Sequence, residues 1–88
     1  MTLSVKFTGV NSYYGKLIAT YYQDGKYRRI TYSEPFSVQV DKGSEVILQC
    51  KGANGHSFNF IGGSLWTGTT SKTATINTNQ SVTIRWVR

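Results

Sequence analysis

The chain has 88 residues, with ten Lys and Arg against four Asp and Glu for a formal net charge of +6, two Trp, six Tyr, four Phe, one His and one Cys. That length supports one hydrophobic core and one domain, spanning 1–88, and a chain so small gains from assembly with others, so oligomers are plausible. The lone Cys50 excludes an internal disulfide, no Cys/His set has metal-ligand spacing, and no apolar run approaches the roughly 20 residues of a membrane span.

Period-2 alternation of Val, Ile, Thr, Tyr and Phe recurs from end to end, and no segment sustains helical apolar spacing, which predicts an all-β protein. The first strand covers about 3–9, with Leu3, Val5 and Phe7 on one face, and Asn11-Ser12 breaks it. Strands at about 16–23 and 26–32 flank Asp24-Gly25, a pair suited to the two-residue type I′ turn because both positions tolerate positive φ. The register follows from the turn. Gln23 faces Lys26, Tyr22 faces Tyr27, Thr20 faces Arg29, Ala19 faces Ile30 and Leu17 faces Tyr32. One hairpin face, Leu17, Ala19, Tyr21, Ile30 and Tyr32, belongs to the core. The other, Ile18, Thr20, Tyr22, Tyr27, Arg29 and Thr31, pairs aromatic and cationic side chains toward solvent or a partner.

Ser33-Glu34-Pro35 ends the hairpin, since proline supplies no ladder donor. A fourth strand at about 36–40 turns Phe36, Val38 and Val40 inward, and Asp41-Lys42-Gly43-Ser44 is a turn. A fifth, at about 45–51, places Val46, Leu48 and Cys50 in the core, which makes Cys50 a packing residue rather than a reactive thiol. The loop Gly52-Ala53-Asn54-Gly55 leads to a strand at about 56–61 carrying Phe58 and Phe60, closed by Gly62-Gly63. Ser64–Gly68 is irregular, about 72–77 alternates with Ala74 and Ile76 inward, and after Asn77-Thr78-Asn79-Gln80 the last strand, 81–87, turns Val82, Ile84 and Trp86 inward. Seven or eight short strands, each with one apolar face, predict two packed antiparallel sheets, a β-sandwich. A small OB-like β-barrel is the alternative fold, for which the usual helix after the third strand is missing.

Catalysis needs a positioned acid, base or nucleophile, and the inventory is poor. His56 has no carboxylate neighbour in sequence, Asp24 and Asp41 sit at turns where side chains bond nearby amides, and Glu34 precedes proline. No phosphate-cradling glycine motif appears, so neither enzyme activity nor a cofactor is expected. The aromatics say more. Tyr13 and Tyr14 in the first loop, Tyr22 and Tyr27 on the outer hairpin face and Trp66 in a glycine-flanked loop are candidates for exposure, where Tyr and Trp offer contact area with few rotors to freeze. With Arg28 and Arg29 they form the candidate partner-binding set. Tyr13, Tyr14 and Trp66 would otherwise plug the sandwich ends. Excess positive charge favours acidic partners, whether a protein face, nucleic acid or an acidic polymer.

The order of features Val5-Lys6-Phe7-Thr8-Gly9, Phe36-Ser37-Val38-Gln39-Val40-Asp41-Lys42-Gly43, Gly62-Gly63-Ser64-Leu65-Trp66-Thr67-Gly68 and Ala74-Thr75-Ile76-Asn77 to Ser81-Val82-Thr83-Ile84 resembles the small immunoglobulin-like modules of phage structural proteins and of repeats in Gram-positive surface proteins. The resemblance implies an immunoglobulin-like sandwich that docks on a larger assembly. The starting Met and the lack of an export signal suit a separately translated virion component, located in the virion or the host cytoplasm, better than an exported repeat. Capsid or tail decoration is then the expected role. A nucleic-acid-binding module using the Tyr22, Tyr27 and Arg29 face is one alternative, and a small phage-encoded inhibitor of a host defence protein is another, although a basic chain argues against mimicry of DNA.

Overall fold

A computed structural model describes residues 1–61 and 71–88. Eight strands follow in chain order: β1 (Thr2–Thr8), β2 (Gly15–Gln23), β3 (Lys26–Tyr32), β4 (Phe36–Asp41), β5 (Glu45–Gly52), β6 (Ser57–Ile61), β7 (Ser71–Thr75) and β8 (Gln80–Val87). They form two four-stranded sheets, the first in the order β4-β1-β8-β6 and the second β3-β2-β5-β7. The fold is a β-sandwich. Two open sheets face each other, where the OB-like alternative would need one closed barrel.

Most strands bury one face because their apolar residues recur with period two, while on the edge strand β3 Ile30 and Tyr32 are only half-buried. Leu3, Val5, Phe7, Val38, Val40, Phe58, Val82 and Ile84 come from the first sheet, and Leu17, Ala19, Tyr21, Val46 and Leu48 from the second. Val5, Phe7, Leu17, Val40, Val46, Leu48, Ile76 and Val82 are completely shielded, each contributing about 1.5–3 kcal/mol of transfer free energy. Ile76 enters this core from just beyond β7. No polar side chain among the described residues is buried.

One pairing departs from the expected antiparallel pattern: β1 runs parallel to β8, with Val5 opposite Gln80 and Thr8 opposite Thr83. Alternation is the same in parallel and antiparallel strands, so this direction leaves no mark on the hydrophobic pattern. The β2–β3 hairpin has the expected register in full, from Leu17 opposite Tyr32 to Gln23 opposite Lys26. Asp24 and Gly25 have φ of 52° and 76°, the two positive values of a type I′ turn.

Asp41 corrects a second expectation. Its carboxylate does not serve its own turn; Oδ1 accepts from the Asp24 amide at 2.7 Å and Oδ2 from the Gly25 amide at 2.8 Å, tying the hairpin tip to the end of β4. Ser44 serves the local turn, with its amide and hydroxyl both donating to the Asp41 carbonyl. At the opposite end of the sandwich, Trp86 is the plug. Its indole Nε1 donates to the Gly9 carbonyl at 2.9 Å, and its ring leans on Phe58 at 5.4 Å between centroids. The ring also fills the space beside Gly15, where a Cβ would lie 2.8 Å from it and φ is 151°. Along the flank, Tyr32 on β3 stacks on Phe36 on β4 and Phe36 stacks on Phe7, so aromatic rings close the seam between the two edge strands.

Gly15→Ala is expected to cost about 2 kcal/mol or more, from backbone strain and from the clash of the new Cβ with the Lys51 carbonyl oxygen and the Trp86 ring. Asp41→Ala should cost about 1–2 kcal/mol, the lower range for two charge-assisted bonds near solvent. Urea unfolding followed by tryptophan fluorescence measures both.

Candidate functional site

The expected binding residues fall into separate places. Tyr22 and Tyr27 sit opposite each other near the hairpin tip, their rings edge to face at 5.8 Å, and are 44% and 59% exposed. Arg29 shares their face one step down, opposite Thr20. Arg28 does not share it. It lies opposite Tyr21 on the side of the strand that carries Ile30 and Tyr32, so alternation splits the Arg28-Arg29 pair between the two sides of the edge strand. Trp66 lies outside the described residues.

The outer face of the second sheet continues from the tyrosine pair as an ordered grid. Thr20 lies between Arg29 and Ile47, Ile18 between Thr31 and Gln49, and Ile47 beside Thr73. Ile18 and Ile47 are half-buried on strands that touch, so an apolar centre lies between hydroxyl neighbours with aromatics at one corner. The outer face of the first sheet is different in kind. Its paired positions are Thr2, Ser4, Lys6 and Thr8 on β1, Ser37, Gln39 and Asp41 on β4, and Ser81, Thr83, Arg85 and the exposed Val87 on β8.

Tyr13 and Tyr14 lie at the other end of the sandwich, in the loop between β1 and β2, and do not plug it. Tyr13 is 56% and Tyr14 39% exposed, and both pack edge to face on His56, at 5.6 and 4.7 Å between centroids. The rings are held by the backbone beneath them. The amides of Tyr14 and Gly15 donate to the Asn11 carbonyl, the Tyr13 amide donates to Asn11 Oδ1 at 2.8 Å, and Asn54 Nδ2 donates to the Tyr13 carbonyl at 2.7 Å. The Ala53 amide donates to the Tyr14 carbonyl at 2.8 Å, which fastens the β5–β6 loop to the β1–β2 loop. His56 Nδ1 stands 3.0 Å from the Ala53 carbonyl, fixing the imidazole in place.

Sequence reasoning missed His56, Lys16 and Lys51 as members of this group. Lys16 and Lys51 are directly opposite each other across β2 and β5, one residue inside the loop roots at Gly15 and Gly52. Only the β2–β5 pairing brings them together.

Cys50 lies opposite Leu17, and burial pushes its thiol well above the ordinary range, which keeps it protonated. Burial, then the neighbouring Tyr21, raises the Tyr32 phenol as well. Among the described residues no group of three or more His, Cys, Asp or Glu could hold a metal ion, and no helix is long and apolar enough to cross a membrane. Comparison with protein-family models, with curated proteins and with solved structures finds no match to this chain.

Cys50 in the folded chain should react with iodoacetamide at pH 8 at least about tenfold more slowly than in urea, because burial disfavours the thiolate. Mass spectrometry of the alkylated chain reads the rate, and equal rates in both states would contradict the packing of Cys50.

Proposed function

We propose that this chain is a non-catalytic binding module, an accessory component of a phage particle that docks on the capsid or tail surface through the outer face of its second sheet. The observation that carries the reading is the contrast between the two outer faces. The first face carries mostly hydroxyl, amide and charged groups and has no exposed aromatic among its described residues, while the second sets Tyr22, Tyr27, Ile18 and Ile47, with Arg29 beside them, among Thr20, Thr31, Gln49, Lys16 and Lys51. Tyrosine and arginine around an apolar centre are the residue types that anchor protein interfaces.

Charge specifies the acceptor. Lys26, Arg28 and Arg29 run along β3, an edge strand with solvent on its free side, so the acceptor surface is acidic where this edge meets it. The same charges guard the edge against pairing with a second copy, since like charges would be brought together. The phage assignment comes from the sequence resemblance, and the non-catalytic reading from a protonated, packed Cys50 and an imidazole tied to a backbone carbonyl.

Co-sedimentation of the purified domain with virions from its source tests the proposal. The domain should pellet with the particles, and Tyr27→Ala should weaken the association by about tenfold or more, as expected for an interface anchor. Arg29→Glu should weaken it further at low salt than at high salt. A domain that stays in the supernatant at all concentrations would overturn the reading.

A further inference from the structure

We infer that the end of the sandwich built from the β1–β2 and β5–β6 loops is a binding site for single-stranded nucleic acid, with Tyr13 and Tyr14 stacking on bases and Lys16, Lys51 and Arg88 facing phosphates. Lys16 and Lys51 share the outer face of the second sheet with Ile18 and Ile47, but the site lies at the opposite end of that sheet from Tyr22 and Tyr27 and does not rest on the docking proposal.

Lys16 and Lys51 occupy directly opposed positions on adjacent strands, where Cβ atoms stand about 4.5–5.5 Å apart and like charges destabilise the sheet. A bound anion offsets that cost. Arg88, just past the end of β8, lies against the β5–β6 loop at the same end, its Nε 3.9 Å from the point where a Cβ on Gly55 would lie. Three of the four acidic side chains, Asp24, Asp41 and Glu45, belong to the hairpin end or to the strand end beside it. Glu34, the fourth, lies in the β3–β4 turn at the same end, beside the Lys16 side of β2 and across that strand from Lys51, because Tyr32 is opposite Leu17.

Tyr13, Tyr14 and His56 contact one another edge to face, with the two tyrosines 5.6 Å apart, and the tyrosines keep much of their surface in water. Rings fixed in this way with cations beside them suit a ligand that carries both flat bases and phosphates. Duplex DNA hides its bases, and an acidic peptide uses the charges but not the rings.

Hydrogen bonds from Asn54 and Ala53 to the Tyr13 and Tyr14 carbonyls join the two loops before any ligand arrives, so little ordering cost is left for binding.

Fluorescence anisotropy with a labelled oligothymidylate of about 12 nucleotides tests the site. The single strand should bind at least about tenfold tighter than oligoglutamate of matched charge, with a salt slope near about −2 for three neutralised phosphates. Tyr13→Ala and Lys51→Glu should each weaken binding by about tenfold or more, and Tyr13→Phe should retain it. Tyr27→Ala and Arg29→Glu, on the docking face, should leave it within about twofold, with circular dichroism confirming that every variant is folded. The inference is overturned if oligothymidylate fails to bind at low salt, if oligoglutamate binds as tightly, or if Tyr27→Ala weakens binding as much as Tyr13→Ala does.

Discussion

The first strand holds the first sheet together by lying between β4 and β8, and much else follows from that position. Without β1, β4 would have no partner and β8 would keep only β6. The parallel ladder with β8 joins residues about 75 positions apart, and side chains extend it: the Ser4 amide donates to Asn79 Oδ1 at 2.9 Å, and the Thr8 hydroxyl to Thr83 Oγ1 at 3.3 Å. Closing so long a loop costs entropy before any contact rewards it. The reward is the inner face of β1, where Val5 and Phe7 are fully shielded and Leu3 nearly so. Folding of this sheet is therefore expected to be slow relative to formation of the local β2–β3 hairpin.

Joining β1 to β8 also defines the two ends of the molecule. At one end, Asp41 holds the hairpin tip, while the Gly43 amide donates to the Ile76 carbonyl at 2.7 Å and the Ile76 amide donates to the Ser44 carbonyl at 2.9 Å. At the other, Trp86 arrives on β8 beneath the loop that leaves β1, and its bond to the Gly9 carbonyl supports the segment from which Tyr13 and Tyr14 project. The structural plug and the exposed rings are thus different residues with different tasks. Trp86 spends its indole on packing, which leaves the tyrosines free to meet a ligand.

The strands were legible because each is buried on one side only, and alternation reports that directly for Leu3, Val5 and Phe7 or Val46 and Leu48. The hairpin register was legible because Asp24 and Gly25 fix a two-residue turn, after which every opposed pair is determined. Pairing between distant strands was not. Nothing local shows that β1 lies beside β8 or that β2 lies beside β5, so the Asp41 clamp and the opposed lysines could not be anticipated. The site was legible as residue types and not as places. Tyr13 and Tyr14 were recognisable as exposed aromatics, but their separation from Tyr22 and Tyr27 depends on strand order, and the split between Arg28 and Arg29 on the weak burial of an edge strand.

The surface divides by chemistry: a largely polar face on the first sheet, a mixed face with paired tyrosines and isoleucines on the second, and exposed tyrosines near opposed lysines at one end. On this reading the second sheet's outer face meets the particle. The six tyrosines allow this to be read directly, by hydroxyl-radical footprinting of the domain alone and bound to virions from its source. The account expects Tyr22 and Tyr27 to lose reactivity on binding while Tyr13 and Tyr14 keep theirs. Unchanged reactivity of Tyr22 and Tyr27 in the bound domain would contradict it.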